Sequence, residues 1–182
     1  NLIYFCAAGL LVLTALLAAN VKYQMPLAEK KAGFHWKDVL EVSTLPAAVL
    51  QFLVTFSFTS VVTYITSYAQ EVGISGIGSF FTIYALGMIL VRLVIGQLID
   101  RRSEKLVAMV SLAVMAAAFL GIVFSRSREL LLAAAFVLGL GQGAVMPALQ
   151  KAAMKYVAPQ RRGAGNSTYH IFGDIGTGFG AA

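Results

Sequence analysis

The strongest constraint on this chain is a boundary between apolar and charged sequence. From Ser79 to Ile99 the residues are apolar apart from a few small or polar side chains and Arg92, and Asp100-Arg101-Arg102-Ser103-Glu104-Lys105 then crowds charges into one short stretch. A second apolar run begins at once, from Leu106 to Phe124. A hydrocarbon core ~30 Å thick is crossed by about 20 helical residues, and both runs reach that length. So short a connection forces an antiparallel hairpin with its charged turn on one side of the bilayer.

Composition places the whole chain in the same class. Its 182 residues are 59% hydrophobic and 12% charged, with a mean hydropathy of +0.80. A soluble domain has about a quarter of its residues charged. The expected fold class is all-α, a polytopic helical membrane protein. The apolar runs do not alternate, which excludes a transmembrane β-barrel. The net charge of +6 is spread over short loops rather than gathered in a patch, so no nucleic-acid partner is expected. Cys6 is the single cysteine and cannot form an intramolecular disulfide.

In chain order, residues 2–21 form a first span, longer than a signal-peptide core and without a basic leader. Residues 22–44 are the longest polar stretch, and 34–42 suit either a short interfacial helix or a solvated linker. Further spans are expected over 45–69, 79–99, 105–124, 130–149 and, unfinished at the end of the chain, 166–182. Pro46 opens the second in a first turn, where proline is tolerated. Gln51, Thr55, Thr59, Thr63 and Thr66 then give it a polar side, which is either helix packing or the lining of a cavity. In the fifth, Gly139 and Gly143 allow close helix contact, Pro147 is positioned to kink the exit, and Gln142 is either interhelical glue or a ligand contact. The lack of a starting methionine suggests a piece of a longer chain.

Arg92, Gly96 and Asp100 are spaced i, i+4, i+8 and fall on one stripe of a helix. Glycine in the middle admits a neighbour, and the flanking charges would bond it, so the stripe reads as a latch between helices. Gly96-Gln97-Leu98-Ile99-Asp100-Arg101-Arg102, followed by Lys105, resembles the signature loop of the major facilitator superfamily, Gly-x-Leu-x-Asp-Arg-x-Gly-Arg-Lys, with Ser103 in place of the second glycine and Glu104 at a position that is often basic. Pro159-Gln-Arg161-Arg-Gly163-Ala-Gly165 resembles the loop before the fifth helix of a superfamily half. Gly173-Asp174-Ile-Gly176-Thr-Gly178-Phe-Gly180 is similar to the glycine-rich motif of the family's drug antiporters, without its Gly-Pro pair.

The resemblance implies the last helix of one half, a cytoplasmic linker and most of the second half of a transporter. Its function would be secondary transport of a small solute by alternating access, including proton-coupled efflux. The implied partners are the solute, the lipid bilayer and the missing first half, without which the chain would not transport. Arg92, Gly96, Asp100 and Arg101 would bias the open and closed states, and Gln51, Thr55, Thr59, Gln142 and Asp174 would line the route.

Charge bias sets the orientation. Lys22, Lys30, Lys31 and Lys37, then Arg101, Arg102 and Lys105, then Lys151, Lys155, Arg161 and Arg162 share one side; Arg126 and Arg128 take the other. By the positive-inside rule loops 22–44, 100–105 and 150–165 are cytoplasmic, which would suit the cell membrane. Arg92 then leans toward its helix N-terminus, into the membrane, and calls for an interior polar partner, either as a structural latch or in a role in substrate binding or gating. Asp174 is the carboxylate set inside a span, and intramembrane acids are either proton carriers or satisfied packing groups. His170, four residues earlier, could share its proton. No phosphate-binding glycine loop, cysteine pair or histidine pair at metal spacing occurs, so neither an enzyme nor a cofactor or metal site is expected. A membrane sensor or assembly protein on the same fold is the rival reading.

Overall fold

The structure, a computed structural model, describes residues 2–20 and 40–182. Residues 22–39 of the expected linker, with most of the expected interfacial helix, lie outside the described residues.

Helix α1, Leu2–Ala19, belongs to a unit of its own, residues 1–34. Most of its exposed side chains are apolar, Leu11, Leu16 and Leu17 among them, and the Asn20 side-chain amide donates to the carbonyl of Leu16 at 2.9 Å to close its last turn.

Residues 35–182 form a second unit, of which residues 40–182 are described. A 3-10 turn, Val42–Thr44, leads into α2, Leu45–Glu71; α3 is Gly78–Arg101, α4 Glu104–Val123 and α5 Arg128–Met154; a second 3-10 turn, Pro159–Arg161, leads into α6, Arg162–Ala181. No strand occurs among the described residues. Among them, four helical stretches are long and apolar enough to cross a membrane: Val42–Glu71, Gly78–Arg101, Glu104–Val123 and Arg128–Met154. Helix α6, rich in glycine and interrupted by Asn166, His170 and Asp174, is not one of them.

The helix ends follow from local chemistry. Pro46 sits in the first turn of α2, where its missing N–H has no helical partner to lose. The same helix stops at Gly73, whose φ of +74° turns the backbone left-handed, and the Ile74 amide reaches back to the Ala69 carbonyl at 2.8 Å. Helices α3 and α4 are joined by Arg102 and Ser103 alone, both extended. No residue of that turn has a positive φ, so Ser103 fits it without strain. Glu104 opens α4, with its charge at the positive end of the helix dipole. Ser127 caps α5 by accepting from the Leu130 amide at 3.3 Å.

Two boundaries differ from expectation. Helix α5 begins at Arg128 and continues through Pro147 to Met154, so Lys151 lies on a helix rather than in a loop. Proline deprives the Gly143 carbonyl of its donor, but the surrounding packing holds the helix on both sides. Helix α6 begins at Arg162 rather than 166, which shortens the expected loop further.

Packing centres on α5, which lies against α3 and α4 and touches α2 and α6. Leu131, Ala135, Leu138, Val145, Ala148 and Leu149 bury it from several directions. Its glycines set the distances. A Cβ on Gly139 would stand 2.1 Å from the Tyr84 carbonyl oxygen, and one on Gly87 of α3 would stand 2.4 Å from the Phe136 carbonyl oxygen, so these backbones touch. Helix α6 pairs with α2 by the same device: Gly176 and Gly180 admit the Phe52 and Phe56 carbonyls, 2.5 and 2.4 Å from where a Cβ would be. Helices α3 and α4 pack little on each other, which leaves a cleft between them over α5.

Candidate functional site

Where α2, α5 and α6 meet, polar side chains are buried together. Gln51 on α2 is 3% exposed and Tyr169 on α6 is 2% exposed. The Tyr169 hydroxyl donates to Gln51 Oε1 at 2.7 Å and also lies 3.3 Å from the Met146 carbonyl of α5. Gln51 Nε2 donates in turn to Met146 Sδ at 3.3 Å. Thr55, one turn along α2, donates to the Gly173 carbonyl of α6 at 3.0 Å and back to the Gln51 carbonyl at 2.9 Å. A glycine stripe makes the seam possible: a Cβ on Gly173 would crowd the Gln51 side chain at 3.2 Å, and one on Gly176 would stand 2.3 Å from Thr55 Oγ1.

Gln142 lies on α5 one turn before Met146, on the same stripe. It is 6% exposed, and its Oε1 is buried without a hydrogen-bond partner among the described residues. An unsatisfied buried acceptor costs about 1–3 kcal/mol, so its retention needs a reason.

The expected polar stripe of α2 divides along its length. Gln51 and Thr55 are buried, Thr59 is half-buried, and Thr63 and Thr66 are exposed. Each i to i+4 step advances about 40° around a helix, so from Gln51 to Thr63 the stripe winds by about 120° and leaves the contact with α6.

Asp174 and His170 share one face of α6, and both are exposed on this unit, away from the Gln51 network. Arg92, Gly96 and Asp100 likewise share an exposed face of α3. Nothing lies within 4 Å of a Cβ placed on Gly96, and Arg92 and Arg101 form no ion pair among the described residues. Asp100 has found a partner: its Oδ1 accepts from Lys151 Nζ of α5 at 2.8 Å, and the same ammonium stands 3.4 Å from the Ile99 carbonyl. Lys155, at the end of α5, pairs with Glu104. That hydrogen bond raises the Lys155 ammonium above the ordinary lysine range.

A third tie closes the unit at Glu41, whose carboxylate accepts from Arg161 while its amide donates to Thr168 Oγ1 at 2.9 Å. The Arg161 hydrogen bond, then that of Ser43, holds the Glu41 carboxyl below the ordinary glutamate range. A depressed carboxylate contributes stability that is fully present above its unfolded value, about 4.3, and is lost as pH falls through the folded value. Glu41→Gln is therefore expected to lower the melting temperature at neutral pH, with the difference from wild type closing under acid; a difference that grows on acidification would contradict the assignment.

Sequence reasoning had singled out Gln51, Thr55 and Gln142 but had missed Tyr169, Met146 and Lys151. The signal for Tyr169 was present: it lies four residues from Gly165 and from Gly173, on the stripe of small residues that seats α6 on α2.

No curated protein and no solved structure matches the chain. The profile of the Major Facilitator Superfamily matches residues 47–182. That match runs from the first turn of α2 through α6 and takes in the hairpin with its two-residue turn and the seam on which α6 is seated. The chain belongs to the major facilitator superfamily, a family of multi-pass membrane proteins that transport small solutes rather than enzymes.

Proposed function

We propose that the chain serves secondary transport of a small solute by alternating access, with α1 as the last span of a first half, residues 22–44 as a cytoplasmic linker, and α2–α6 as most of the second half. The supporting observation is Gln142: a buried amide oxygen without a protein partner, one turn from the Gln51–Tyr169–Met146 network, suits a group that a solute or its water completes. Gln51, Thr55 and Thr59 continue that wall, and the face carrying Asp174 and His170 supplies a proton carrier for coupled efflux.

The exposed stripe of Arg92 and Gly96 docks the first half, and Asp100 with Arg101 acts as the latch at its cytoplasmic end. The Asp100–Lys151 pair suits that work because both side chains are well exposed, 76% and 48%. Such a pair contributes about 0–1 kcal/mol, weak enough to break in every cycle. Asp100→Asn is expected to lower stability by no more than about 1 kcal/mol while slowing transport severalfold. Equal rates for variant and wild type would remove the latch.

The reading is tested on the chain joined to its first half, purified in detergent, by following proton release on addition of lipophilic cations and small metabolites. Release in wild type and its loss in Asp174→Asn supports coupled transport through Asp174. Equal release from both moves the carrier elsewhere, and absence of release from both removes proton coupling. Failure of substrate-dependent uptake into liposomes would favour the sensor reading.

A further inference from the structure

We infer that the cleft between α3 and α4 is a binding site for one anionic phospholipid, with an acyl chain in the cleft and the headgroup phosphate on Arg102. This rests on the membrane fold alone and is independent of the transport reading.

The cleft exists because α3 and α4 are tied by only two residues at one end, both pack on α5, and they barely meet each other. Its volume is about 360 Å³, floored by small residues of α5 such as Gly141 and walled by Ile95 and Leu98 on one side and Val110 and Val114 on the other. Ser111, the polar residue inside it, spends its hydroxyl on the Val107 carbonyl of its own helix at 2.8 Å. Below Arg102 at the rim, nothing in the lining therefore asks for water. An apolar cleft left empty in hydrocarbon loses dispersion contacts along its walls, and a lipid chain supplies them.

Depth and charge select the occupant. From Arg102 at the rim to Val91 at the far end the helix rises about 16 Å at 1.5 Å per residue, close to half of a ~30 Å hydrocarbon core. The cleft thus spans one leaflet, with its charged lining residue at headgroup level. Arg102 forms no ion pair among the described residues, and neither do Arg101 and Lys105 beside it, unlike Lys151 and Lys155 across the turn. A guanidinium binds phosphate through paired N–H donors, and the flanking charges favour a lipid with net negative charge over a zwitterionic one.

The test uses the full chain reconstituted in equal parts of phosphatidylglycerol and phosphatidylcholine with identical acyl chains, re-extracted in mild detergent and examined by native mass spectrometry. One retained phosphatidylglycerol per chain is expected in wild type. Arg102→Gln should lower its retention about fivefold, Arg102→Lys less, and Arg126→Gln, on the α4–α5 turn, not at all. Val110→Trp fills the cleft from a lipid-exposed position, leaves Arg102 in place, and should also abolish retention, with an unchanged melting temperature as its control. Equal retention of the two lipids, full retention in Val110→Trp, or an equal loss in Arg126→Gln would each overturn the site.

Discussion

Gly139→Ala is expected to be the most damaging single methyl group that can be added to this protein. The new Cβ would stand 2.1 Å from the Tyr84 carbonyl oxygen and 2.9 Å from the Met88 amide nitrogen. Both are backbone atoms of α3, so no side chain can rotate away and the helices must separate. Overpacking a close contact costs about 1–3 kcal/mol, and here the strain falls on the helix around which the unit is built. Gly87→Ala attacks the same crossing from the other side, with its Cβ 2.4 Å from the Phe136 carbonyl oxygen. Because one gap serves both, the double variant should cost less than the sum of the singles. Gly178→Ala has open space around the added carbon among the described residues and should be neutral or slightly stabilising, since alanine is the better helix former. Thermal unfolding in detergent separates the cases, and equal melting temperatures for Gly139→Ala and Gly178→Ala would refute the contact.

Much of this architecture was readable because bilayer thickness sets helix length. The runs beginning near 45, 79 and 105 became α2, α3 and α4 almost at their expected bounds, since charged or glycine-containing turns separate them. The end of α5 was harder. Pro147 and the lysines beyond it signalled a loop, yet a helix held by neighbours on several sides tolerates one missing N–H, and Lys151 and Lys155 extend it to meet acids across the turn. Those acids, Asp100 and Glu104, are four residues apart, as are the lysines, but they lie on different helices on either side of an extended turn, so the spacing alone did not disclose the match. Which helices pair is less legible than where they lie. The choice of α2 as the partner of α6 depends on which face carries the small residues, and that face became clear only once Gly173, Gly176 and Gly180 were seen against Gln51, Thr55 and Phe56.

The candidate site divides in the same way. Gln51 and Thr55 stood out as polar residues in an apolar helix, but whether such groups satisfy one another or await a ligand depends on distances that spacing does not contain. The 2.7 Å bond from Tyr169 makes Gln51 part of a closed network, whereas Gln142 on the neighbouring helix is left open. Asp174 and His170 show the opposite limit. A sequence can place two groups on one helix face, but what covers that face is decided by other elements.

Replacing Gln142 with leucine is the change that separates glue from ligand contact, because the two roles predict opposite signs for stability. If the amide tied helices together, leucine would break a bond and lower the melting temperature. With its Oε1 buried and unpartnered among the described residues, the amide costs folding energy instead, so Gln142→Leu, close in volume and free of that penalty, is expected to hold or raise the melting temperature. Transport by the chain joined to its first half should fall about tenfold in apparent affinity, the effect of losing one ligand hydrogen bond in a dry site. Gln51→Leu is the necessary contrast. It takes away the 2.7 Å acceptor of the Tyr169 hydroxyl, leaving that group the longer contact to the Met146 carbonyl, and removes the donor to Met146 Sδ, so it should lose about 1 kcal/mol of stability whatever happens to the solute. A Gln142→Leu protein that melts early and transports normally would identify the residue as packing. A variant that stays folded while its affinity collapses would place the solute beside α5.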